Sequence, residues 1–402
     1  MHHEKFLQQQ GVLSMKTYLK RYLHHADFSI AFVYLVLVVF GLVMIYSSSF
    51  YWAVERYDWA PDHFFQQQKT NLFLAIPVFF IMSLFPYKHF KNKFVMISMV
   101  SVMFLLLILV HFIGSGGAAG SQSWLYIGPL NLQPSEVAKI VLVLYFSSLF
   151  AKKIQKGTLN DLTNSIYPPI IIMAAAVGSI MLETDVGNSM IITFVCITVI
   201  VASGVQFRVF SKLLGLIISA FLIIGILLYF FRDTIITPRR LGRLEAFFNP
   251  FAYEESFGYQ IVNGYLAIGS GGLTGLGLGN SNQKYGYLPE PHTDFIMAVI
   301  AEELGIIGVV IILAGIFFLV FKGLSIALTG RDPHGRMIAA GIASIFGFQT
   351  FVNLGGMLGI IPLTGVPLPF ISYGGTALIL FSAALGILMN VSMFARYEKS
   401  KK

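Results

Sequence analysis

The sequence predicts an all-α polytopic membrane protein: a bundle of about ten transmembrane helices, with a long extracellular loop between spans 7 and 8. Three observations predict it. Of 402 residues, 56% are hydrophobic and 11% charged, under half the roughly 25% charged residues of soluble domains. Mean hydropathy is +0.75. Apolar runs long enough to cross about 30 Å of hydrocarbon as helices recur along the chain. Too few polar side chains remain to wet a soluble surface, which excludes a disordered chain, a soluble nucleic-acid binder and a secreted disulfide scaffold. The single cysteine, Cys196, lies in an apolar run, so the chain has neither a disulfide framework nor a Cys-rich metal site.

Residues 1–27 are polar and carry no apolar stretch with a cleavage site of the signal-peptide type. Spans follow at about 28–48, 70–86, 94–113, 136–151, 167–182, 188–204, 213–231, 294–321, 337–355 and 375–394, and a basic tail covers 395–402. Helix is the expected spanning structure, because the runs exceed barrel strands and no period of two is present. The fifth and sixth spans are short and separated by Glu183-Thr184-Asp185-Val186-Gly187. That pair reads as a tight hairpin, with a broken helix as the alternative.

The net charge of +8 has a topological meaning. With both termini cytoplasmic, nineteen of the 27 Lys and Arg fall in inner segments, as the positive-inside rule requires. The remainder include Arg239, Arg240, Arg243 and Lys284 in outer segments and Lys139 within a span. The outer loop covers 232–293 and is rich in Arg, Gly, Pro and Tyr. Loops of this length are usually functional, and its aromatic residues predict that it folds back onto the outer face.

Four segments concentrate residues that can carry chemistry. Trp124 and Tyr126 suit an interface belt or a cavity wall. Glu136 and Lys139 stand three apart on one helical face, at the start of the span that Pro134 opens. Ionisable groups at membrane depth are costly and are usually paired or functional. Asp185 can cap the sixth span, next to Glu183. Arg240 and Arg243 share a face of a short helix and, being outside, are not explained by topology. Arginine forks suit phosphate, although Glu245, Glu254 and Glu255 offer salt bridges instead. Asp294 stands where loop becomes helix, and His292, Thr293 or Asp294 can each cap that helix. Glu302 lies eight residues further, about 12 Å along a helix, with Lys139 as candidate partner. The glycine run from Gly269 to Gly279 has no βαβ context, so it reads as flexible or tightly turned backbone beside a ligand.

Together these segments resemble the SEDS family, the shape, elongation, division and sporulation proteins, over about residues 28–397. The resemblance rests on Gln133-Pro134-Ser135-Glu136 with Lys139, on Glu183-Thr184-Asp185-Val186-Gly187, on Arg240 with Arg243, and on Gly271-Gly272. It rests most on Leu288-Pro289-Glu290-Pro291-His292-Thr293-Asp294-Phe295, on Glu302-Glu303-Leu304-Gly305, and on the segment from Pro362 to Gly375. The division branch is most similar, through Tyr46-Ser47-Ser48-Ser49, Asn249-Pro250 and Tyr285-Gly286-Tyr287; the elongation and sporulation branches are alternatives. Glu183 departs from the Gln usual in the family.

The resemblance implies a peptidoglycan glycosyltransferase that polymerises lipid II at the outer face of the cytoplasmic membrane, releasing undecaprenyl pyrophosphate. It implies a class B penicillin-binding protein and other divisome proteins as partners, a divalent cation (Mg or Mn), no organic cofactor and no nucleic acid. Asp294 matches the family's essential acidic position, as general base or metal ligand. An Asp near its ordinary pKa of about 3.9 is a weak base, which partial burial would improve. Arg240, Arg243 and Lys139 are the expected pyrophosphate clamp, and Trp124, Glu136 and Ser372 further substrate-binding residues. A lipid II transporter and a non-enzymatic scaffold are the competing classes, though no internal repeat of the transporter kind is evident.

Overall fold

The computed structural model describes residues 15–115, 123–128, 130–212 and 245–401, with the isolated positions 215, 222 and 242. The fold is all-α. In chain order the helices are α1 (Met15–His25), α2 (Phe28–Tyr57), α3 (His63–Leu84), α4 (Lys93–Ile113), α5 (Pro134–Gln155), α6 (Tyr167–Leu182), α7 (Val186–Ala202), α8 (Tyr259–Gly271), α9 (Ile296–Thr329), α10 (Pro333–Met357) and α11 (Thr376–Ser400). Five described helices (α2, α4, α9, α10 and α11) are long and apolar enough to cross a membrane. Nine of the ten expected spans correspond to described helices; the seventh, 213–231, lies almost wholly outside the described residues. Helices α6 and α7 form the expected tight hairpin, turning through Thr184 at φ +63°.

Two elements depart from the reading of the sequence. A small antiparallel hairpin pairs β1 (Leu125–Ile127) with β2 (Leu130–Leu132). Three-residue strands are too short for a period of two to register. The loop expected at 232–293 contains helix α8, which packs on α9. Its three glycines hide it from propensity reasoning, yet two of them permit its packing. A Cβ at Gly264 would meet the ring of Phe295, and one at Gly271 would overlap the Ala301 carbonyl.

Polar contacts separate the two ends of the bundle. At one, here the terminal end, Asp27 caps α2 through the Ser29 N–H and accepts from Lys322 of α9 (3.0 Å) and Arg396 of α11. Nearby, Asn390 accepts from the Tyr87 N–H (3.0 Å) and donates to the Ser83 carbonyl (2.7 Å). Helices α3 and α11 approach closely because Gly386 lies against the backbone of Phe79, the small-residue contact typical of helices in lipid. The opposite end carries the candidate site.

Helix α9 is broken. Gly305 sits at φ +67°, ψ −167°, and residues 296–303 before it are all buried. The part beyond, 306–329, spans about 36 Å at 1.5 Å per residue, enough for one crossing. The glycine run repairs the break. The N–H groups of Leu276 and Gly277 donate to the carbonyls of Glu302 and Glu303 (both 2.9 Å), and Ile306 N–H donates to the Gly272 carbonyl (3.1 Å). These bonds satisfy backbone groups orphaned at the break. Of the two readings of the run, flexible or tightly turned, the structure shows the turned one, and its neighbour is the broken helix.

Candidate functional site

Asp294 occupies the junction between the loop and α9 and is half-buried. It does not cap the helix: the N-cap position is Phe295, and no side chain makes the cap bond. The Asp294 Oδ1 accepts from Thr293 Oγ1 at 3.1 Å. Its main-chain carbonyl accepts from Asn353 Nδ2 of α10 at 2.8 Å, and the same amide donates to the Val366 carbonyl at 2.8 Å. One side chain thus fixes Asp294 to the loop 358–375. A Cβ at Gly365 (φ +71°) would lie 4.0 Å from Asp294 Oδ2, so the backbone of that loop runs directly beside the carboxylate.

The segment before Asp294 is equally constrained. Trp52 Nε1 donates to the Leu288 carbonyl (3.0 Å), and Tyr373 N–H to the His292 carbonyl (2.9 Å). Glu290, at φ +44°, accepts Thr293 N–H and Oγ1 on its carbonyl, closing a tight turn. His292 is buried with its ring 4.2 Å from that of Phe64. Burial pushes its pKa down to about 3, so it is a neutral packing group with no charge to offer a phosphate.

Lys139 does not reach Glu302. Its ammonium donates to Glu136 Oε1 (2.6 Å), Asn188 Oδ1 (3.0 Å) and Gln349 Oε1 (2.6 Å). Three donors meet three acceptors, and both charged residues are 1% exposed. Lys139 therefore has no donor left for a pyrophosphate, and Glu136 is buried against Lys139. The knot instead ties α5, α7 and α10 together. Gln349 carries it to the site loop, donating through Nε2 to the Pro367 carbonyl at 3.1 Å. Asp185 does cap α7, accepting from Asn188 N–H (3.0 Å). Its other oxygen accepts from Gln133 Nε2 (3.0 Å), which joins it to the start of α5.

The two carboxylates of α9 have other partners. Glu302 accepts from Ser281 Oγ (2.5 Å) and the Asn282 N–H (2.9 Å). Glu303 pairs with Lys284 (2.7 Å) and accepts from Ser47 Oγ. Lys284 is fully buried, so this cation of the segment before α9 is structural. Ser372 is buried too, and its hydroxyl accepts from the Leu368 N–H (2.9 Å), closing a turn within the site loop. Trp124 is half-buried and bridges Ser115. Arg240 and Arg243 lie outside the described residues. Reading the sequence missed Gln349 and Asn353; their signal was two amides four apart, one helical turn, in an apolar span.

Glu183 is buried at the α6–α7 turn, where neither carboxylate oxygen has a hydrogen-bond partner. Burial, reinforced by the nearby charge of Asp185, raises its pKa to about 8. His111 Nδ1 is 3.9 Å away.

Comparison with known proteins places this arrangement. The profile of the FtsW/RodA/SpoVE family, described as cell cycle protein, matches residues 28–397. A probable peptidoglycan glycosyltransferase FtsW of Bacillus subtilis is 44% identical over 387 residues, covering 96% of this chain and 94% of its own. Stage V sporulation protein E of the same organism is 37% identical over 379 residues, covering 92% and 98%. A chain from a peptidoglycan synthase complex that coordinates polymerization and crosslinking superposes with a TM-score of 0.72 at 25% identity, over 92% of this chain and 98% of that one. The rod shape determining protein RodA of Thermus thermophilus does so at 0.64 and 25%, over 92% and 97%.

Proposed function

Since the chain belongs to the FtsW/RodA/SpoVE family of cell cycle proteins, we propose how its site performs that family's chemistry. The protein is a polytopic membrane peptidoglycan glycosyltransferase. It polymerises lipid II into glycan strands and releases undecaprenyl pyrophosphate. The division role is favoured by the higher identity to the FtsW relative, 44% against 37% for the sporulation protein. In the proposed topology the terminal end faces the cytoplasm, the Asp294 end faces outward, and the enzyme works at the septum.

One observation carries the mechanism: a carboxylate at the loop-to-helix junction, its backbone fixed through Asn353 and its side chain flanked by the glycine turn at Gly365. In the proposed step Asp294 takes the proton from the 4-hydroxyl of the acceptor GlcNAc. The freed oxygen pair forms a bond to the anomeric carbon of the donor MurNAc. The bond from that carbon to the pyrophosphate breaks, and its electron pair leaves with the undecaprenyl pyrophosphate, inverting an α-linked donor to a β-linked product. The leaving group departs as an anion, so no second carboxyl is needed to protonate it, unlike in glycoside hydrolysis. Arg240 and Arg243 neutralise the pyrophosphate. Trp124 offers a surface for sugar. The buried Lys139, Glu136 and Ser372 act by holding the site loop.

A divalent cation fits Asp294 in a limited sense. Among the described residues no three His, Cys, Asp or Glu form a ligand group. Magnesium, however, is commonly held by one or two carboxylates together with substrate phosphates, and Asp294 is the carboxylate of the loop-to-helix junction that would hold it. When bound there, the ion would supply charge neutralisation to the pyrophosphate. A class B penicillin-binding protein is the proposed partner, cross-linking the strands as they form.

The test is purified full-length protein, with and without its transpeptidase, supplied with lipid II. Glycan polymer is the expected product. Lipid II flipping in liposomes with no polymer in either condition would replace the enzyme by a transporter.

A further inference from the structure

At the terminal end, far from Asp294, α1 leans across the ends of α3 and α11 and encloses a groove of about 670 Å³. Its walls are apolar: Leu19, Leu84, Phe85 and Phe394 line it. Several are open to the surroundings, with Leu19 43% exposed and Phe85 39%. Its rim is basic, formed by Arg21, Lys88 and His89. The Arg21 guanidinium lies over the Tyr397 ring at 5.4 Å and the Lys88 ammonium over the Phe394 ring at 5.1 Å. The facing acidic group is Glu398, 3.9 Å from Lys88, which leaves the rim positive. Tyr18 donates to the Leu84 carbonyl at 2.9 Å, holding α1 over the groove.

We propose that this groove binds one anionic glycerophospholipid, its phosphate on Arg21 and Lys88 and an acyl chain along Leu84 and Phe85. Neither half of the feature suffices alone. An apolar groove beside a bilayer fills with any lipid, and a basic rim attracts any anion. Their junction at the membrane boundary, where α3 and α11 end, matches a molecule that is charged at one end and apolar at the other. Arginine's planar fork suits phosphate, and the stacking on Tyr397 holds it in place. The site lies outside the catalytic machinery, and its occupancy is readable without turnover.

The test titrates full-length protein in mild detergent with phosphatidylglycerol or phosphatidylcholine and counts bound lipid by native mass spectrometry. Wild type should show one saturable phosphatidylglycerol site that phosphatidylcholine does not fill. Arg21→Ala/Lys88→Ala should bind about tenfold or more weakly, because two cations no longer meet the phosphate. Leu84→Trp, which fills the groove and leaves the rim charge, should weaken binding comparably. Retained polymerase activity in both variants shows that they are folded. Equal affinity in all three proteins overturns the site. Loss in the charge variant alone reduces it to surface attraction and overturns the groove. Displacement of the bound lipid by inorganic phosphate, or by residues 1–14 captured in the groove by cross-linking, overturns the lipid as occupant.

Discussion

Lys139 of α5 and Gln349 of α10 are joined by a 2.6 Å hydrogen bond, and Gln349 passes the restraint to the Pro367 carbonyl of the site loop. A buried ion pair at membrane depth thus reaches the loop beside Asp294 through a neutral amide. This is a positioning role, and it separates two properties that a clamp role would merge: stability and substrate charge recognition.

Removing the cation alone leaves Glu136 uncompensated. Lys139→Met should therefore destabilise the protein by about 3–5 kcal/mol, whereas Lys139→Met/Glu136→Gln should recover much of the loss. Thermal unfolding in detergent measures both. A double variant no more stable than the single would break the pairing account.

Glycines of the loop helix differ sharply in their surroundings. A Cβ at Gly271 overlaps the Ala301 carbonyl, while one at Gly269 meets nothing within 4 Å. Gly271→Ala should force α8 off the broken helix and lower Tm by several degrees, since about 1 kcal/mol already moves Tm by 2–4 °C in larger domains. Gly269→Ala should leave Tm unchanged or slightly raised. Melting curves of the two single variants decide it.

Glu183 gives stability a pH dependence. Its folded pKa of about 8 stands above an ordinary 4.5. Its neutral carboxyl therefore favours the fold fully below about pH 4.5, and that contribution is lost as pH rises toward 8. Glu183→Gln removes the titration. The variant should match wild type near pH 5 and melt progressively higher than wild type up to about pH 8. A constant Tm difference across that range would place the charge elsewhere.

Much of this was legible in the sequence, and the remainder fails for identifiable reasons. Span positions were readable because hydropathy over about 20 residues is a local signal. The Asp185 cap and Pro134 at the first turn of α5 were readable for the same reason. Partner choice was not. Lys284 and Glu303 are 19 residues apart, and Lys139 and Gln349 are 210 apart, so nothing local announces either contact. Helix α8 was hidden because its glycines lower propensity while serving tertiary contact. Asp294 was visible through family resemblance, but its anchor Asn353 emerges only from the fold.

Asn353 offers a test of positioning. Replacing it with Ala removes both 2.8 Å bonds, to Asp294 and to Val366. It should lower kcat by up to about 10²-fold, as a displaced catalytic group does, with KM for lipid II nearly unchanged. A matched rise in KM with constant kcat would instead mark Asn353 as a substrate contact.

In the proposed step the Asp294 carboxylate takes the acceptor proton. Asp294→Asn keeps the side chain's shape and removes its basicity. Purified with its transpeptidase and given lipid II, the variant should keep the wild-type Tm and partner binding and make no glycan polymer. Polymer at the wild-type rate would contradict the assignment.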